Sequence, residues 1–170
     1  RLMTAHEIIT HLNLEPLPEE GGYFRRTYES GEMLASGILP RPYPQDLHVG
    51  TAIYALFTPT DFSALHRLDS DEVYHFYGGD PLEMLLLYPD GGGEQFVLGA
   101  ELPAGMLPQK VVAKGVWQGS RSRPGGEHGY SLIGTTMSPG FEYEGFELGQ
   151  QQALINQYPH FREQIRVLCR

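Results

Sequence analysis

The sequence holds one cysteine, Cys169, next to the final Arg170. A single thiol closes no intrachain bridge, which excludes a disulfide-stapled secreted scaffold and fits a reducing, cytoplasmic compartment. Basic residues are scarce as well: 12 Lys and Arg face 21 Asp and Glu, a formal charge of −9, and no basic run exceeds Arg25-Arg26. No nucleic acid is expected as a partner, because such proteins gather cations against phosphates. Long apolar runs are missing. Ala52 to Phe57 and Met84 to Tyr88 fall far short of the roughly 20 residues a membrane-spanning helix needs, so no membrane partner is expected. His6, Glu7 and His11 interrupt what would be the apolar segment of a signal peptide.

Glycine and proline are plentiful instead, 21 and 13 residues, and 11% of the chain is aromatic. Frequent turns with short apolar runs between them describe an all-β sandwich or barrel, and 170 residues suffice for one domain spanning 1–170. Thr4-Ala5-His6-Glu7 is a capping box, so a short helix carrying Ile8, Ile9 and Leu12 should follow and stop before Pro16. Strand-like segments run from Tyr23 to Tyr28, Thr51 to Thr58, Phe62 to Leu68, Glu72 to Tyr77 and Leu82 to Tyr88. Others cover Glu94 to Leu98, Lys110 to Ala113, Val116 to Ser120 and Gly129 to Thr136, whereas Gly31 to Pro44 reads as an irregular loop. Gln150 to Gln157 and Pro159 to Leu168 read as helices covering the barrel.

The segment from Phe62 to Gly79 concentrates the chemistry. Period-two alternation sets Ala64, His66 and Leu68 on one face of a strand and Glu72, Tyr74 and Phe76 on one face of the next. With both faces turned inward, His66 and Glu72 share a pocket. The same parity turns His75 to the opposite surface and Trp117 away from Gln118. Only one of Arg25 and Arg26 can face the barrel, where a guanidinium would suit a carboxylate or phosphate. Gly91-Gly92-Gly93 is a hairpin turn, since no Lys-Ser/Thr follows it.

This stretch resembles the first signature of the cupin superfamily, H-x-H followed by Glu and then Gly. His66, Glu72 and Gly79 match it, and Leu68 stands in place of the second histidine. Gly105 to Gln118 resembles the second signature, with Ala113 in place of its proline and Gln118 in place of its histidine. Glu20-Gly21-Gly22-Tyr23-Phe24-Arg25, Ser70 to Tyr77 and Ser138-Pro139-Gly140-Phe141 look like the uncharacterised cupin-5 subfamily. That resemblance implies a jelly-roll barrel, a double-stranded β-helix like the dTDP-sugar epimerase RmlC, with short N- and C-terminal helices.

The expected function is binding of a small polar ligand, sugar-like or anionic, with His66 as the base of an epimerase or isomerase and Glu72 orienting it. Ligand contacts are expected from Arg25, Arg26, Tyr74, Phe76 and Gln118. A noncatalytic ligand-binding cupin is the alternative. A metal-dependent cupin enzyme is another, holding a divalent metal weakly on His66, Glu72 and Gln118. Within a purely structural reading, His66 and Glu72 satisfy each other by hydrogen bonding inside the barrel. Many cupins pair through edge strands, which implies a homodimer.

Overall fold

The computed structural model describes all 170 residues. Thr4 caps helix α1 (Ala5–His11) through the reciprocal bonds with Glu7 that the sequence predicts. Thirteen strands follow in chain order: β1 (Glu15–Pro16), β2 (Tyr23–Glu29), β3 (Met33–Leu34), β4 (Leu47–His48), β5 (Thr51–Phe57), β6 (Ser63–Leu68), β7 (Glu72–Gly79), β8 (Leu82–Leu87), β9 (Gly93–Leu98), β10 (Gln109–Val112), β11 (Trp117–Ser122), β12 (Ser131–Met137) and β13 (Phe146–Leu148). Helices α2 (Gln151–Gln157) and α3 (Arg162–Val167) close the chain. The two-residue strands and β13 are absent from the sequence reading. They are too short to carry an alternation of their own and exist because a neighbouring strand offers hydrogen-bond partners.

Six strands form one antiparallel sheet in the order β1-β2-β5-β12-β7-β10, and five form another in the order β13-β6-β11-β8-β9. Between them lies an apolar core that joins Ala55, Phe57, Tyr74 and Ile133 of the first sheet to Leu82, Met84 and Leu86 of the second. Strand β8 reads as a nearly continuous apolar run because both its faces are covered. Leu85 and Leu87 point away from the barrel and pack with Leu65 and Trp117 against Leu154, Tyr158, Ile165 and Leu168. Helices of six and seven residues are too short to persist alone. They are held by those four side chains, each worth about 1.5–3 kcal/mol when buried.

The outer face of the six-stranded sheet is covered only partly, where Ile8 and Ile9 of α1 and Leu12 just after it lie against Leu14, Leu56 and Tyr130. Beyond α1, the side chains of Tyr28, Tyr77 and Val111 are exposed. No helix is long and apolar enough to cross a membrane.

Candidate functional site

The barrel is packed at one end and hollow at the other. The hollow end is a cavity of about 470 Å³, and its most distinctive wall begins with a turn outside the strands. Leu17 donates its backbone N–H to the Gly22 carbonyl at 2.9 Å, closing a loop that carries Glu20. Gly21 and Gly22 sit at φ +104° and +73°, a region where side chains are strained. Space requires glycine too, since a Cβ on Gly22 would lie 2.3 Å from the Phe57 ring. The turn is fastened to the entry of β6 by Ala64 N–H donating to the Glu20 carbonyl at 2.8 Å.

Glu20 is thereby delivered to His66. Its Oε1 lies 3.4 Å from His66 Nε2, and its Oε2 accepts from the Ser63 hydroxyl at 2.9 Å. On the other side of the ring, His66 Nδ1 donates to the Ala64 carbonyl at 2.7 Å. A carbonyl only accepts, so this contact places a proton on Nδ1 and leaves Nε2 facing the Glu20 carboxyl. Phe146 of β13 stacks on the imidazole with centroids 5.2 Å apart. His66 is 1% exposed and sits behind the cavity wall rather than on it.

Glu72 does reach the wall, beside Thr135, Leu68 and Met137. Burial pushes its carboxyl from the ordinary 4.5 up to about 7, and the Glu20 carboxylate pushes the same way. The charge of His66 and the hydroxyls of Thr135 and Tyr74 act in the opposite direction. No Lys or Arg side chain forms an ion pair with Glu72. Tyr74, on the same face of β7, donates its hydroxyl to Gln118 Oε1. Burial and the nearby Glu72 charge raise the Tyr74 phenol well above 10.

The structure thus separates the residues expected at the site. Glu72, Arg25 and Arg26 line the cavity, so both guanidinium side chains reach it where alternation allowed one. His66, Tyr74 and Gln118 form the layer behind it, and Phe76 packs against the apolar core. Arg26 lies on the inward face of β2, where it donates to the Phe141 carbonyl at 3.0 Å and approaches Glu29 at 3.3 Å. Arg25 reaches only the rim, its guanidinium 3.4 Å from the Leu12 carbonyl on the α1 side. As parity required, His75 lies on the outer face and meets the Thr136 hydroxyl at 3.0 Å. Trp117 is likewise outward, in the cluster beneath the helices and under the Arg67 guanidinium.

Two expectations are corrected. The carboxylate that holds His66 is Glu20, not Glu72, because the turn before β2 folds in and fills the space beside Nε2. Nor do His66, Glu72 and Gln118 form a metal cradle. Gln118 Oε1 is taken by Tyr74, both His66 nitrogens face partners, and no group of three or more His, Cys, Asp or Glu side chains is placed to hold an ion. These residues do not fit a resident metal. The sequence reading missed Glu20 and the aromatic wall of Phe24, Phe141 and Tyr143. The adjacent Gly21-Gly22 pair, which forces a tight turn, was the available signal for Glu20.

Comparison with known proteins agrees with this architecture. Residues 6–149 match the Cupin_5 model, described as Cupin superfamily (DUF985). The uncharacterized protein YML079W of Saccharomyces cerevisiae is 30% identical over 132 residues, 74% of this chain, and the match spans 65% of that protein's length. A hypothetical protein from Leishmania major superposes with a TM-score of 0.87 at 32% identity, covering 98% of this chain and 99% of its own. A protein from Shewanella oneidensis gives 0.85 at 33% identity, with 99% of both chains covered. The oxalate decarboxylase of Bacillus subtilis shares only the fold: 11% identity and a TM-score of 0.54 over 92% of this chain and 37% of that one. With its jelly-roll sheets, its barrel cavity and a family match over most of its length, the chain belongs to the Cupin_5 family of the cupin superfamily.

Proposed function

We propose that the barrel cavity binds a small hydroxyl-rich, sugar-like ligand and that Glu72 moves a proton on it, as an isomerase or epimerase does. The supporting observation is a carboxyl that is 7% exposed, lines the cavity and forms no ion pair with a Lys or Arg. A group that titrates near neutrality can both take and return a proton at working pH. His66 then has a positioning role. It fixes Glu20, and the charge of the pair tunes Glu72. Aromatic walls suit the flat faces of a sugar ring, and four lining glutamates, Glu15, Glu20, Glu72 and Glu142, favour a neutral ligand over an anionic one.

The test is a panel of aldoses and ketoses incubated with the full chain in D₂O and followed by proton NMR. Exchange of one carbon-bound hydrogen is expected, rising as pH passes through about 7 and falling on the order of 100-fold or more in Glu72→Gln. No exchange, together with a melting temperature that climbs with sugar concentration, would leave a noncatalytic binding cupin. That second reading is favoured by the burial of His66, which keeps its imidazole off the cavity wall.

The exposed Tyr28, Tyr77 and Val111 share the uncovered face of the six-stranded sheet, which supports pairing of two copies there. Sedimentation is expected to give twice the 19.0 kDa chain mass. A monomer at micromolar concentration removes this proposal.

A further inference from the structure

The charges around the cavity do not balance. Carboxylates of Glu15, Glu20, Glu72 and Glu142 line it, against Arg25 and Arg26 alone. Neither arginine is paired with Glu72: Arg25 points to the neutral Leu12 carbonyl at the rim, and Arg26 is held by the Phe141 carbonyl and Glu29. The imidazole from β6 is committed to Glu20 through His66 Nε2. Glu72 therefore remains more than nine-tenths buried, open to the cavity and without a Lys or Arg ion pair, the buried His66 behind the wall being the one cationic group of this chain that acts on it. The rings of Phe24, Phe141 and Tyr143 line the same cavity. A buried carboxylate without a counter-charge is costly, and aromatic faces attract cations.

We propose that the ligand of this cavity carries a positive charge, a small organic ammonium whose cation rests against Glu72 and Glu20 between the aromatic walls. This rests on the cavity being the binding site, as proposed above, and puts a cationic ligand in place of the neutral one. Binding has a proton balance. When the ammonium arrives, Glu72 gives up the proton it holds near neutrality to solvent, so affinity rises with pH. The groups facing Glu72 are Glu20 from the turn before β2, His66 from β6, Tyr74 on its own strand and Thr135 from β12. A cavity of about 470 Å³ has room for a cation of choline's size.

The experiment compares choline with its uncharged carbon isostere 3,3-dimethyl-1-butanol and with glucose, by calorimetry on the full chain at pH 5.5 and pH 8. Choline has a fixed charge, so any pH effect belongs to the protein. The expected result is choline binding at least tenfold tighter than the isostere at pH 8, weakened severalfold at pH 5.5. In Glu72→Gln the preference should disappear. Equal binding of choline and isostere, or choline affinity unchanged by Glu72→Gln, overturns the proposal. Glucose binding without choline binding also overturns it and leaves the sugar-like reading standing. Failure of all three probes overturns the cationic ligand, while the exchange experiment decides the other reading separately.

Discussion

Glu72→Gln is expected to be more stable than the parent chain at pH 8 by roughly 3 kcal/mol, and to lose that advantage near pH 4. The size follows from a carboxyl raised from 4.5 to about 7 at about 1.4 kcal/mol per unit. The sign follows from proton counting. Between those two pH values the folded chain keeps a proton that the unfolded chain has released, so raising the pH favours unfolding. Below about 4.5 both states are protonated and nothing is lost; above about 7 the full penalty is present.

Other groups tilt the parent's profile in the opposite direction. Burial raises Asp80, but hydrogen bonds from His128 and Gly129 outweigh it and hold the carboxyl low. Glu94 is lowered chiefly by its bond to Lys110. The quantity to measure is therefore the difference in urea unfolding free energy between parent and Glu72→Gln at each pH from 4 to 8. A difference that stays flat across that range would show that Glu72 does not titrate abnormally. Gain of stability with loss of proton transfer is the pattern expected when a site keeps an unfavourable group for function.

His66→Ala should cost roughly 2–5 kcal/mol, the range for deleting a large buried side chain. The imidazole is 1% exposed and stacked on Phe146. Removing it leaves a void beneath β13, an Ala64 carbonyl without its donor and a Glu20 carboxylate without its partner. Trp117 lies on the opposite face of β11, beneath the helices, so its fluorescence reports global unfolding rather than the local change.

A second readout separates positioning from direct catalysis. His66 lowers the Glu72 carboxyl, so in His66→Ala the pH midpoint of exchange should move upward from about 7 while some exchange persists. Full stability with complete loss of exchange would instead make His66 the base, on an accessible wall.

Much of this architecture is readable in one dimension. Alternation put Glu72, Tyr74 and Phe76 on one face of β7 and sent His75 and Trp117 outward, because neighbouring strand residues must point to opposite sides. Turn residues marked most strand ends, since glycine and proline constrain the backbone locally. Both outcomes follow from covalent geometry acting over a few residues, and so does the capped helix α1.

Which groups meet inside the barrel was decided by the closed fold. Glu20 lies far upstream of His66, on a turn with no periodicity, and reaches the imidazole only because that turn is fastened to β6. β13 exists only as a partner of β6, yet it supplies the ring stacked on His66. The unusual titration of Glu72 likewise has no local cause: it comes from water excluded by two sheets and from a carboxylate contributed by a distant turn. Desolvation and through-space charge depend on what is nearby in three dimensions, which residue spacing does not encode.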